Sequence, residues 1–152
     1  MAEKPDEAKL AASQARLDVT VVTGDRMLYH GPAIELSAPA LNGMITIRRL
    51  HAPLLAILEP GELDIVHDEG TDTWAVGGGF VEVLDDAVIV LADTAERAEE
   101  IDLRLAEDAF ERARLLARRH EARTELESAH DLGLRRSRAR LSVARKALQR
   151  RP

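Results

Sequence analysis

The chain has 152 residues, 45% apolar and 32% charged, with a formal net charge of −6 and no cysteine. This rules out disulfides, thiolate metal sites and cysteine nucleophiles, and leaves room for one good core or a small domain with an appendage. Aromatics make up 3% of the residues, which disfavours folds that stack bases, and no apolar run approaches the roughly 20 residues of a membrane span.

Residues 1–15 are polar, with Lys4 and Lys9 among acids and no apolar h-region. They read as a flexible extension rather than a targeting segment, so the default compartment is cytoplasmic. Leu17 to Val22 alternates and runs into Thr23-Gly24-Asp25, a strand and a turn. Met27-Leu28-Tyr29 predicts a short strand stopped by His30-Gly31-Pro32, and Ala33 to Ser37 predicts another. Met44 to Ile47 follows the Asn42-Gly43 hairpin signal. Leu54 to Leu58 and Leu63 to Val66 flank Pro60-Gly61, a pair suited to the centre of a type II turn. Thr73 to Val76 and Phe80 to Leu84 flank Gly77-Gly78-Gly79, which reads as a bulge, a close backbone approach or a plain loop. Ala87 to Ala92 closes the series. Strands at this spacing argue for an antiparallel sandwich or flattened barrel.

After Asp93-Thr94 the period becomes helical. Leu105, Ala109, Ala113 and Leu116 predict one apolar stripe, and Leu134, Ser137, Leu141, Ala144 and Leu148 a second. His120 to Arg123 is a connector or a continuation. Narrow, alanine-rich stripes suit an αα-hairpin, which alone buries little and needs a docking surface. Gly133 costs the second helix about 1 kcal/mol relative to alanine. The charge divides with the fold. Residues 1–100 hold 7 Lys/Arg and 19 Asp/Glu, whereas residues 101–152 hold 14 and 8. Two bodies of opposite sign suggest an adaptor with two different surfaces.

No constellation for catalysis emerges. The lysines are Lys4, Lys9 and Lys146, so there is no Gly-Lys-Ser/Thr phosphate loop. His30, His51, His67, His120 and His130 have no metal-ligand spacing, and His67-Asp68-Glu69 reads as a solvated hairpin tip. The basic tract Arg135, Arg136, Arg138, Arg140, Arg145, Lys146, Arg150 and Arg151 favours arginine, which suits bidentate contacts to carboxylate or phosphate. It is a solvated helix face, a surface for an acidic protein partner or, less in keeping with the negative net charge and the scarce aromatics, a nucleic-acid contact.

Four segments, in order, carry a resemblance. Leu17-Asp18-Val19, the run His51-Ala52-Pro53-Leu54-Leu55 to Pro60-Gly61, Gly78-Gly79-Phe80-Val81-Glu82-Val83, and Val90-Leu91-Ala92-Asp93-Thr94-Ala95 resemble the strand and turn signatures of the epsilon subunit of F-type ATP synthases. The likeness covers about residues 16–150. It implies a mainly β sandwich of about ten antiparallel strands over 16–95 and a C-terminal α-helical hairpin over 96–152. It also implies a non-catalytic central-stalk subunit, peripheral on the cytoplasmic face of the bacterial plasma membrane. The implied partners are the gamma subunit, the c-ring and the beta/alpha subunits of the catalytic head, with no nucleic acid, no metal and no membrane insertion. The sandwich would dock gamma and the c-ring through Asn42, Gly43, Met44, His51, Pro53, Leu54, Pro60, Gly78 and Gly79, although His51 reads equally as a satisfied turn histidine. The hairpin would extend to inhibit ATP hydrolysis, with Arg135, Arg136, Arg138, Arg140 and Arg145 as the inhibitory contact.

Some members of that family hold ATP as a regulatory ligand on the folded hairpin, through Ile/Leu-Asp-x-x-Arg-Ala. Here Glu96, Asp102, Arg112, Arg136 and Arg140 match positions of that site, but Leu105 stands where the motif has arginine. Arg104 lies one residue early, a rotation of about 100° on a helix. Read structurally, Asp102 and Glu96 are N-terminal charges complementing a helix dipole. Two further departures are the Arg49-Leu50 pair, where the family has Pro-Gly, and Asn42-Gly43-Met44, where it has an acidic loop. The competing reading is a free-standing nucleotide sensor built on the hairpin.

Overall fold

The computed structural model describes residues 16–120 and 127–150. The expected extension over 1–15, the connector after His120, and Arg151 lie outside the described residues. Eight strands form one hydrogen-bonded set: β1 (Leu17–Val22), β2 (Met27–Ala33), β3 (Glu35–Ala40), β4 (Gly43–Arg48), β5 (Leu54–His67), β6 (Gly70–Leu84), β7 (Ala87–Ala92) and β8 (Ala95–Arg97). Their order is β2-β1-β7-β6-β5-β3-β4, with β8 beside β6. β5 and β6 pair from Leu54↔Val83 to His67↔Gly70, but their halves have different outer neighbours. Gly79 to Leu84 pairs with β7, whereas Trp74 to Val76 pairs with β8. The long hairpin thus passes from one layer to the other, and the layers close as a sandwich. Alternation supplies the core: β1 buries Leu17, Val19 and Val21, β7 buries Val88 and Val90, and Leu36, Ile47, Leu63, Ile65, Val81 and Val83 meet them.

Eight strands, rather than about ten, result because two apparent breaks are not breaks. β5 runs through Pro60-Gly61 where the β3 ladder shifts register, so the missing proline N–H is not needed there. Gly61 makes no turn. A Cβ at Gly61 would lie 2.7 Å from Pro39 Cβ, so it lets β3 approach. β6 runs through its three glycines, which are both bent and closely approached: Gly78 and Gly79 have φ of +106° and +128°. β2 likewise continues through His30-Gly31-Pro32, because it is an edge strand on which proline is tolerated. The sheet is not wholly antiparallel either. β1 lies parallel to β7, from Asp18↔Ala87 to Val22↔Leu91, because the first strand is inserted between β2 and β7.

A single 3-10 turn (Ala98–Glu100) leads to α1 (Leu103–His120) and α2 (Glu127–Gln149). Asp102 caps α1. Its Oδ1 accepts the Leu105 N–H at 3.0 Å and its carbonyl accepts the Ala106 N–H at 2.9 Å. The inward face of α1 is Leu103, Ala106 and Phe110, while Leu105 and Leu116 of the expected stripe stay 59% and 47% exposed. The one aromatic of the helix selects the neighbouring stripe. On α2, Leu141 and Ala144 are buried as their spacing predicts, whereas Leu148 stays half exposed. Val143, outside that stripe, is also buried, because α2 lies between α1 and the β5–β6 hairpin. The residues under the hairpin (Ala75, Ala98, Ile101, Ala106, Leu141, Val143, Ala144) form a cluster separate from the sandwich core.

The glycines make two opposite predictions. A Cβ on Gly79 would fall 2.1 Å from the Leu91 carbonyl oxygen at a φ that L-residues avoid, so Gly79→Ala should cost about 3 kcal/mol or more in urea unfolding. Gly133 is helical, exposed and open around its Cα. Gly133→Ala should instead stabilise by about 0.5–1 kcal/mol in the same measurement.

Candidate functional site

The outward face of the β5–β6 layer crossing carries acids, and the inward face of α2 carries cations. Arg135 pairs with Glu59. Arg136 donates through Nε to the Gly77 carbonyl at 2.7 Å and through Nη2 to Asp93 at 2.9 Å. Arg140 grips Glu96 with two bonds of 2.6 and 3.0 Å, and this hydrogen bonding raises the guanidinium's pKa further. Lys146 donates to Glu62 at 2.8 Å, and Arg150 to the Thr73 hydroxyl at 3.1 Å. Gly77 is part of the device, since a Cβ there would strike Thr94 and crowd Arg136. These pairs are roughly one-third exposed, so each contributes about 0.2–1 kcal/mol and the set only a few. The apolar part is mostly alanine. The hairpin is therefore seated by many weak polar contacts over a thin apolar layer.

Between hairpin and strands lies a cleft of about 540 Å³, lined by Arg26, Gly77, Glu96, Glu100, Arg136 and Arg140 among others. It gathers three of the five residues matched to a nucleotide site. Asp102 stands close enough to act on Arg140, but it is engaged as the α1 cap. Arg112 points to solvent and does not join them. Glu96 belongs to β8 and binds Arg140, so it is not a helix-terminal charge. Counting Asp93, which binds Arg136, the acids Glu96 and Glu100 match Arg26, Arg136 and Arg140 one for one, so the cleft offers no surplus of positive charge to a phosphate group.

The opposite outer face is open. Ile57, Phe80 and Leu91 stand in register across β5, β6 and β7, flanked by Leu55, Leu84 and Ile89, all exposed. Glu82 is the acid among them, between Leu55 and Ile89. A contiguous exposed apolar face of this kind marks a surface that another body covers. The expected docking set did not include it. Its signal was present in Leu54 to Leu58 and Ala87 to Ala92, which are apolar on both faces where a one-sided strand would alternate.

The expected docking residues divide accordingly. Asn42, Gly43 and Met44 form the exposed tip of the β3–β4 hairpin, and Pro53 is exposed beside the apolar face. Leu54 turns towards the core and its neighbour Leu55 turns out. His51 satisfies its own turn, with Nδ1 donating to the Ala52 carbonyl at 2.8 Å. Pro60 lies under α2, and Gly78 and Gly79 are buried, so these three are not free surface. Of the basic residues, Arg135, Arg136 and Arg140 face the strands, and Arg145 pairs with Glu107 of α1 at 3.2 Å. Arg138 is exposed and makes no ion pair among the described residues.

The apolar face ends at a strained corner. The Arg48–His51 turn closes with a 3.2 Å bond from the His51 N–H to the Arg48 carbonyl and places Leu50 at φ +61°. Asp85 and Asp86, at φ +49° and +62°, make the β6–β7 turn. These are the three positive-φ non-glycine residues among those described, at about 1–2 kcal/mol each. The Asp86 carboxylate accepts the Leu50 N–H at 2.6 Å and stands 3.5 Å from Arg49 Nε, while its carbonyl accepts the Asp18 N–H.

Comparison with known proteins agrees with this architecture. A family model described as "ATP synthase, Delta/Epsilon chain, beta-sandwich domain" matches residues 16–98. The ATP synthase epsilon chain of Herpetosiphon aurantiacus is 40% identical over 129 residues, covering 85% of this chain and 94% of that one. That of Anaeromyxobacter dehalogenans (strain 2CP-1) is 41% identical over 128 residues, covering 84% and 97%. A chain in the cryo-EM structure of the Euglena gracilis mitochondrial ATP synthase (OSCP/F1/c-ring) superposes with a TM-score of 0.72 at 22% identity, covering 89% of this chain and 82% of that one; at this identity the likeness concerns the fold. The ordered signatures, the sandwich-plus-hairpin fold and these relatives agree: this chain belongs to the epsilon-chain family of F-type ATP synthases, non-catalytic subunits of the central stalk.

Proposed function

We propose that the chain couples gamma to the c-ring through its sandwich, and that its hairpin is a detachable arm that inhibits ATP hydrolysis. The observation that carries this is the asymmetry of the sandwich: one outer face is apolar and open, while the opposite face is covered by a hairpin with its own small apolar cluster and a row of ion pairs. The open face suits a large, permanent partner such as gamma. The exposed tip at Asn42-Gly43-Met44, neutral here, is the c-ring contact that the family likeness suggests. When the hairpin lifts, Arg135, Arg136 and Arg140 exchange the acids of the sandwich for acids of the catalytic head, joined by Arg138 and Arg145. Both states are served by the same cations, so a bias of a few kcal/mol selects between them. As part of the complex the chain sits peripherally, on the cytoplasmic side of the membrane.

A second reading, regulatory ATP binding in the cleft, is favoured only by the convergence of Glu96, Arg136 and Arg140. Calorimetry of the full chain with MgATP is expected to give no heat at millimolar ligand. A Kd below about 1 mM would establish that site.

Truncation after Glu100 in the assembled enzyme should raise ATP hydrolysis while proton coupling persists. An unchanged hydrolysis rate would remove the inhibitory role and leave the adaptor. In the isolated full chain, Arg140→Glu sets like charges against Glu96 and should speed amide exchange in α2 about tenfold, and the swap Arg140→Glu with Glu96→Arg should restore protection. Unaltered exchange in the single variant would show that the ion pairs do not seat the hairpin.

A further inference from the structure

We infer that Leu50 is an anchor residue of the gamma interface, seated in an apolar socket of that partner, and that Asp86 is its positioning residue. The inference rests on the docking reading given above and adds a residue that the family likeness does not supply, since the resemblance places a Pro-Gly pair here.

Three observations carry it. The first is exposure: at 83%, Leu50 is the most exposed large apolar side chain among the described residues, so it contributes almost nothing to this chain's own packing. The second is conformation. A turn with its third residue at positive φ calls for glycine or asparagine, and leucine gains nothing there within the isolated fold. Strain with no local return is expected where another body supplies the return. The third is support. Asp86, itself left-handed, directs its carboxylate at the Leu50 N–H and ties the same turn to β1 through its carbonyl, so the projecting side chain stands on a fixed base. Leu84 and Leu55 are exposed at the same end of the open face, which makes Leu50 the terminal knob of that face rather than an isolated apolar side chain. A fixed apolar projection loses little freedom on docking, which is what an anchor requires.

The test is titration of the full chain against the gamma subunit, alongside thermal unfolding of the free chain. Leu50→Gly is expected to weaken binding about tenfold or more while the unfolding midpoint stays level or rises. Leu50→Ala should weaken binding similarly without a rise, because it keeps the strain. Asp86→Ala should weaken binding in the presence of Leu50 and have no further effect in the Leu50→Gly background, with Asp86→Asn retaining affinity. Leu50→Gly binding gamma within twofold of the wild type overturns the anchor, and equal losses from Asp86→Ala in both backgrounds overturn the positioning role. Failure of the wild-type chain to bind gamma overturns the docking reading, and this inference with it.

Discussion

The fold depends on one long hairpin bending in the middle. β5 and β6 stay paired through the bend, where Pro60 stands opposite Gly77, so the two layers share a continuous backbone and need no loop between them. The chemistry at the bend is specific. Proline is tolerated because β3 shifts register there, Gly61 admits Pro39, and Gly79 admits the carbonyl of Leu91. The bend also separates the two outer faces. Before it, β5 presents Leu55 and Ile57 to solvent; at it and after it, Glu59 and Glu62 lie under α2. Placing acids on one half of a strand and bulky apolar residues on the other decides which face takes the hairpin and which remains open.

The sandwich–hairpin seam combines a thin apolar layer with partly solvated ion pairs. A seam meant to be permanent would bury leucine and phenylalanine at about 1.5–3 kcal/mol each. This one buries mainly alanines around Val143 and Leu141 and relies on partly solvated ion pairs, which salt and competing carboxylates weaken. Arginine suits the task because its planar fork exchanges one carboxylate for another without losing bidentate geometry. Arg136 adds a backbone carbonyl, that of Gly77, which fixes where the helix lands as well as how firmly.

Much of this was legible in the residues. Alternation located the strands of the core, and the charge division between residues 1–100 and 101–152 anticipated an acidic platform under a basic helix. What misled was counting Pro60-Gly61 as a turn and letting the glycine run, which reads equally as a bulge or a close approach, divide a strand. Both lie in paired strands, where a proline or glycine can mark close approach instead of a stop, and only the neighbouring strand decides between these. The α1 stripe was misplaced by about one residue, some 100° around the helix, because Phe110 outweighs the alanines among its candidates. The sites were less legible than the fold. Gly78 and Gly79 are buried at positive φ, so the backbone itself needs glycine at both positions. The exposed apolar face was hidden in runs that looked like ordinary buried strands.

The same logic separates the two kinds of interface on this small body. If the sandwich turns with a partner while the hairpin lifts, as proposed, one surface must stay closed under torque and the other must open. Apolar area without alternative partners in water serves the first, since no solute competes for it. Charge pairs serve the second, since a second set of carboxylates can replace the first at little net cost. The corner at Leu50 belongs with the closed surface by this criterion. Its side chain is 83% exposed and unpacked among the described residues, and Asp86 holds the backbone around it at a positive φ that leucine rarely adopts.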